Sequence, residues 1–168
     1  MEQKPKRVRP KVGDVCAVPL EDGTFGFGRV LKPTHVYAFY DLRLPKIPAA
    51  SEQVIAAPIA FKVMVTSSGI TSRRWPIIGR HPLSDDLQQR IYFIRLFQRG
   101  ENGEAMLHYS DRTGFDPLMP IPWKDAKHLE ISTIYEPIGI EMRLLDRFEG
   151  RPHTGLAIRK NLDLDPLS

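Results

Sequence analysis

Apolar residues in this chain gather in short runs broken by Gly, Pro and acidic residues, and the runs on either side of Glu21-Asp22-Gly23 are the most regular. Residues 11–31 read KVGDVCAVPLEDGTFGFGRVL. Val, Ala and Phe load both flanks, and the Asp-Gly pair supplies the positive φ angles that a tight turn between antiparallel strands demands, so this stretch predicts a β-hairpin. Gly13-Asp14 punctuates the start of its first strand. Gly26 and Gly28 leave one face of the second strand without side chains, while Phe25 and Phe27 load the other. Either another element packs closely against that bare face or the strand bends there.

Downstream, Thr34 to Arg43 alternates as a third strand, with Val36, Ala38 and Tyr40 on one face and Tyr37 and Phe39 on the other. Aromatic residues on both faces predict burial on both. Residues 44–48 form a proline-broken loop, and residues 50–57 predict one or two helical turns capped by Ser51 and ended by Pro58. Ile59 to Thr66 predicts a further strand. In residues 67–83, Gly69 marks a loop, Trp75-Pro76 forces extension, and Trp75 to Ile78 fits a short strand. Tyr92 to Phe97 and Ala105 to Tyr109 flank Gly100-Glu101-Asn102-Gly103 as a second hairpin. The proline-rich stretch Arg112 to Trp123 fits no single element, and Glu130 to Tyr135 fits one more strand. Pro137 suits the first turn of a helix, in which Ile138, Met142, Leu145 and Phe148 form a stripe at i, i+4, i+7 and i+10. That stripe predicts an amphipathic helix laid on a sheet and stopped by Gly150.

Composition narrows the architecture. Fifteen prolines in 168 residues exceed the roughly 5% of ordinary usage, which favours many short elements over long helices. A chain of this length fills one core. The expected organisation is a basic flexible arm over 1–11, a single α+β domain over 12–160 and a frayed tail over 161–168. The expected fold is a curved antiparallel sheet, or an SH3-like partial barrel, with the C-terminal amphipathic helix packed on it.

Charge changes the picture less than the net value of +4 suggests. Lys4, Lys6, Arg7, Arg9 and Lys11 against Glu2 account for all of it, so the remaining 157 residues are formally neutral. Basicity belongs to the arm, which has no interleaved aromatic residue on which a base could stack. Nucleic acid is therefore a disfavoured partner, although a small β-barrel module using that arm remains the alternative function. No apolar run approaches the roughly 20 residues needed to cross a bilayer, and no apolar core of a signal peptide follows the basic N-terminus. With Cys16 as the only cysteine, internal disulfides are excluded, and a soluble cytoplasmic protein is expected.

Candidate chemistry is sparse. His35, His81, His108, His128 and His153 include no pair at i, i+4, and there is no cysteine pair, so no metal is expected. Cys16 lies inside the first strand with no base or cation placed beside it by the sequence. Gly23, Gly26 and Gly28 are followed by a strand instead of the helix N-terminus that phosphate binding requires. Asp85-Asp86 after Ser84 reads as helix-start chemistry. No catalytic residue and no cofactor are expected, and the chain is not expected to be an enzyme. Arg73, Arg74, Trp75 and Arg80 stand apart, because Arg and Trp dominate the energetics of protein interfaces. They are the candidate partner-binding residues; the competing reading puts Trp75 in the core and the arginines in solvent.

The stretches KVGDVCAVPLEDGTFGFGRVL, VYAFYDLR and VTSSGITSRRWPIIGRHPL, in that order and spacing, resemble the immunity protein 26 family over roughly the first 90 residues. That resemblance implies a bacterial cytoplasmic protein that binds and neutralises a cognate toxin domain of a polymorphic toxin system, and it brings no catalytic residues or cofactors.

Overall fold

The computed structural model describes residues 8–32, 35–109, 119–126 and 128–153. In chain order the first half contains β1 (Asp14–Pro19), β2 (Phe25–Lys32), β3 (Val36–Tyr40), α1 (Glu52–Ile55), β4 (Ile59–Val65), α2 (Ser68–Thr71), β5 (Ile77–Arg80) and α3 (Asp85–Gln88). The second half contains β6 (Tyr92–Arg99), β7 (Ala105–Tyr109), β8 (Met119–Ile121), α4 (Trp123–Ala126), β9 (Glu130–Ile131), β10 (Ile134–Tyr135) and α5 (Pro137–Phe148). These strands form two sheets, ordered β10-β4-β3-β2-β1-β5 and β8-β7-β6-β9. Pairing is antiparallel except for β10 on β4 and β9 on β6. The fold is mixed α+β, and among the described residues neither sheet closes into a barrel.

The hairpin forms as expected, pairing Val15 with Arg29 through Pro19 with Phe25, and Gly23 holds φ at +82° in the turn. The bare face of β2 is covered in two ways. A β-carbon at Gly26 would stand 2.8 Å from the end of Leu144 on α5, and one at Gly28 would stand 2.8 Å from the ring of Phe39. β3 is buried at every position, as the aromatic residues on both of its faces require.

The larger sheet has apolar layers on both sides. One side joins Val18, Tyr37, Phe39, Phe61, Trp75 and Leu144 beneath α2 and α5. On the other, Val15, Phe27 and Tyr40 meet Val54 of α1, while Leu31, Val36 and Met64 meet Leu87 of α3 and Phe93 of the second sheet. The far face of the second sheet closes on Ala126 of α4. Arg29, 4% exposed, fixes the chain after the edge strand β5 by donating Nη2–H to the carbonyls of His81 at 2.9 Å and Pro82 at 2.6 Å.

Several local expectations change. Ser51 precedes α1 but makes no side-chain cap; its Oγ sits 2.8 Å from Nε2 of His81, a partner 30 residues away that outcompetes the local N–H groups. Gly69 lies within α2 and not in a loop, and the strand expected over Trp75 to Ile78 runs instead over Ile77–Arg80, because Trp75 turns into the core. Glu130 to Tyr135 is not one strand: β9 joins one sheet and β10 the other, with Ser132-Thr133 passing between them. Val8, within the segment expected to be a flexible arm, packs against the larger core. Residues 1–7 of that arm, and the tail expected over 161–168, lie outside the described residues.

The most consequential change concerns α5. Its expected buried stripe included Ile138 and Met142, yet each is 54% exposed, whereas Ile140 and Leu144 are fully buried. Two charged residues, Glu141 and Arg143, also face inward, and their partners explain the rotation, as described below.

Gly28 tests the covered face. Phe39 is fully buried and cannot swing away, so Gly28→Ala should lower unfolding free energy by about 1–3 kcal/mol. Gly26→Ala meets at close range a terminal methyl of Leu144, the far end of a flexible side chain where Gly28 faces a rigid ring, and should cost less. Urea denaturation of the two variants should preserve that order.

Candidate functional site

Residues 67–75 form a compact knuckle against α5. α2 ends at Thr71 with Ser72 as its C-cap, after which Arg73 adopts φ +65°, the only positive φ of a non-glycine residue in the described chain. Its N–H bonds the carbonyl of Ile70 at 2.9 Å, and the N–H of Trp75 bonds the carbonyl of Gly69 at 2.8 Å. The reversed chain lays the Trp75 indole over Gly69, where a β-carbon would stand 2.6 Å from the ring. Trp75 also meets Phe39 edge to face at 5.9 Å.

Glu141 joins this knuckle to the helix. The Trp75 Nε1–H donates to its Oε1 at 2.9 Å and the Arg74 Nε–H donates to the same oxygen at 2.6 Å. Arg74 Nη2–H donates to Oε2. Glu141 is 7% exposed, and three N–H donors replace the water its carboxylate has lost. It in turn raises the affinity of the Arg74 guanidinium for its proton. Two residues along the helix, Arg143 lies 4.0 Å over the ring of Phe61 and donates Nη2–H to Glu130 at 2.6 Å and Nη1–H to the other oxygen at 3.1 Å. Both inward charges are satisfied, which allows α5 to turn Glu141 and Arg143 to the sheet beside Ile140 and Leu144 and to leave Ile138 and Met142 outward.

That strip lines a groove of about 490 Å³ between α5 and the end of β1. Ile138, Met142 and Leu145 form one wall and Pro19, Leu20 and Glu21 the other, with Arg74 at the rim. A second concavity of about 390 Å³ contains Arg143, Arg147 and Arg151. Its cations are already matched with Glu130, Asp41 and Asp146 respectively, and Arg147 holds the Asp41 carboxyl below its usual range by hydrogen bonding.

The structure brings some of the expected site residues together and separates others. Arg73 and Arg74 are exposed on the knuckle. Trp75 has no exposed surface and lies in the core behind them, as the competing reading of this segment has it. Arg80 lies at the far end of β5, where its Nε–H donates to buried Asp14 at 2.6 Å. Glu141, Ile138 and Met142 were not expected at the surface site. Glu141 meets Trp75 across 66 residues of sequence, a separation at which no local pattern operates.

Conventional catalytic chemistry finds little support in these groups. Burial pushes the Cys16 thiol up to about 12, and its S–H points to the carbonyl of Gly28 at 3.6 Å. Among the described residues no group of three His, Cys, Asp or Glu side chains could hold a metal ion, and no helix is long and apolar enough to cross a membrane.

The surface offers a partly apolar face beside exposed arginines. The family model described as Immunity protein 26 matches residues 11–102, more than half of the 168-residue chain, and the chain belongs to that family. The match contains the knuckle and ends before α5. No curated protein and no solved structure matches the chain.

The role of Glu141 is open to direct measurement. Glu141→Ala leaves the buried Trp75 N–H without an acceptor and should lower unfolding free energy by about 1–3 kcal/mol. Glu141→Gln keeps an oxygen for that N–H and should lose less. Equal losses in urea denaturation would show that the indole bond contributes nothing.

Proposed function

We propose that this immunity protein neutralises a cognate toxin domain in the cytoplasm by binding it through the face where the knuckle meets α5. The observation that carries this reading is the uncovered strip of Ile138 and Met142, each 54% exposed, on a helix whose opposite face is fully engaged with the sheet. Membership of the family supports a toxin as the partner. Stable protein complexes bury about 1,600 Å², and an apolar centre rimmed by arginine is the arrangement that contributes most binding energy within such an area. Arg73 and Arg74 supply that rim, Trp75 holds them in place from beneath, and Arg80 extends the basic surface along β5. The protein acts by covering the toxin and makes or breaks no bond of its own.

Backbone strain at Arg73 supports the same reading. Holding a non-glycine residue at positive φ costs about 1–3 kcal/mol, an expense explicable if the side chain is wanted at that point. Arg73→Gly should therefore leave stability unchanged or raise it by up to about 1 kcal/mol, while weakening toxin binding by roughly 30-fold.

Coexpression with the neighbouring toxin gene product tests the function. Cells should survive, and a complex should persist through gel filtration. Met142→Asp should abolish protection without lowering Tm. Death of cells carrying the unaltered protein would reject toxin neutralisation, and undiminished protection by Met142→Asp would reject this face.

A further inference from the structure

We propose that the occupant of the α5 groove is an amphipathic helix of the partner, lying antiparallel to α5. The inference rests on the reading of this face as the toxin-binding surface and specifies the shape, charge and direction of what it receives.

Geometry favours a helix. Ile138, Met142 and Leu145 recur at i, i+4 and i+7 and so form a ridge along two turns of α5, about 10 Å long, against which the side chains of a facing helix interdigitate. The opposite wall is made by Pro19 and Leu20. An extended peptide finds no ladder there, because at the end of β1 Pro19 has no N–H and the N–H groups of Ala17 and Leu20 already donate to the carbonyls of Pro76 at 3.0 Å and Thr24 at 2.8 Å. The partner segment must therefore satisfy its own backbone, as a helix does.

Charge sets the direction. Beside the first half of α5, Arg74 stands at the rim with 49% of its side chain exposed, while the Glu141 side chain that pairs with it is only 8% exposed. A partner approaching this end meets a cation. Toward the end of α5, Glu21 is exposed on the groove wall, and Asp22 and Glu149 share the single guanidinium of Arg43. A partner approaching that end meets excess negative charge. An α-helix carries partial positive charge at its N-terminus and partial negative charge at its C-terminus. The favoured orientation puts the partner's N-terminus over Glu21 and Glu149 and its C-terminus over Arg74, opposite in direction to α5. The complementary segment bears basic residues in its first turn, apolar residues at i, i+4 and i+7, and acidic residues in its last turn.

Two lactam-bridged helical peptides of about 14 residues, identical in composition, test this on the full-length protein. One has Lys in its first turn, Leu at i, i+4 and i+7, and Glu in its last turn; the other exchanges the charges end for end. Fluorescence anisotropy at low salt should show the first binding roughly tenfold more tightly, with the preference shrinking as salt rises. Met142→Asp should remove binding of both. A spin label at the N-terminus of the first peptide should broaden the NMR signals of Glu21 and Glu149 and spare Arg74. Equal affinities, broadening at the opposite end, or binding indifferent to Met142→Asp would overturn the inference. So would self-association of the protein that Met142→Asp abolishes, or a gain in peptide affinity on removing residues 154–168, since the groove would then belong to a second copy or to the chain's own terminus. If Met142→Asp loses toxin protection while the peptides bind equally, the toxin reading stands and the helix falls. If oriented peptide binding coexists with full protection by Met142→Asp, the helix groove stands and the toxin reading falls.

Discussion

The carboxylate of Glu141 determines how α5 sits, and much of the surface follows from it. Stripping water from a carboxylate is expensive unless hydrogen bonds replace what it loses. Here three N–H donors from two consecutive residues of the knuckle do so. Because Arg74 and Trp75 are held by the turn at Arg73, they present a fixed set of donors, and α5 has one rotation at which Glu141 meets them. Leu144 then falls on the space left by Gly26, Arg143 falls over Phe61, and Ile138 and Met142 are left outside.

The connection between knuckle and helix also bears on rigidity. Trp75 is in contact with the sheet through Phe39 and with the helix through Glu141, so the surface arginines project from a support that belongs to both. A surface ordered before its partner arrives loses less conformational entropy on binding. The helix lies outside the stretch matched by the family and the knuckle within it, so the groove combines a wall from the matched stretch with one from beyond it.

The parts of the fold governed by local rules were legible in the sequence. The Asp22-Gly23 turn, the bare face at Gly26 and Gly28, the double burial of β3 and the Gly100 to Gly103 hairpin all arise from steric requirements that act over a few residues. Periodicity also located α5, but it misplaced the buried face. That rule assumes that charged residues turn to water; Glu141 and Arg143 turn inward because Trp75 and Glu130 await them. Ser51 misled for a related reason, since His81 offered its hydroxyl a partner better placed than the helix N–H groups. The Arg73 to Arg80 segment was recognisable by composition, whereas the division of labour within it required knowing which side chains the fold had buried.

That division explains why a tryptophan and an arginine at adjacent positions do different work. The indole has one N–H and a large apolar body, so it can fill the core while meeting Glu141 with its single donor. The Arg74 guanidinium presents several donors in a planar fork, enough to grip the same carboxylate and remain 49% exposed at the groove rim. Lysine at position 74 would keep the charge but lose the two-point grip on Glu141, and with it the coupling between the rim and the rotation of α5. The identity of the side chain, beyond its sign, therefore links the interior of this protein to the face it presents.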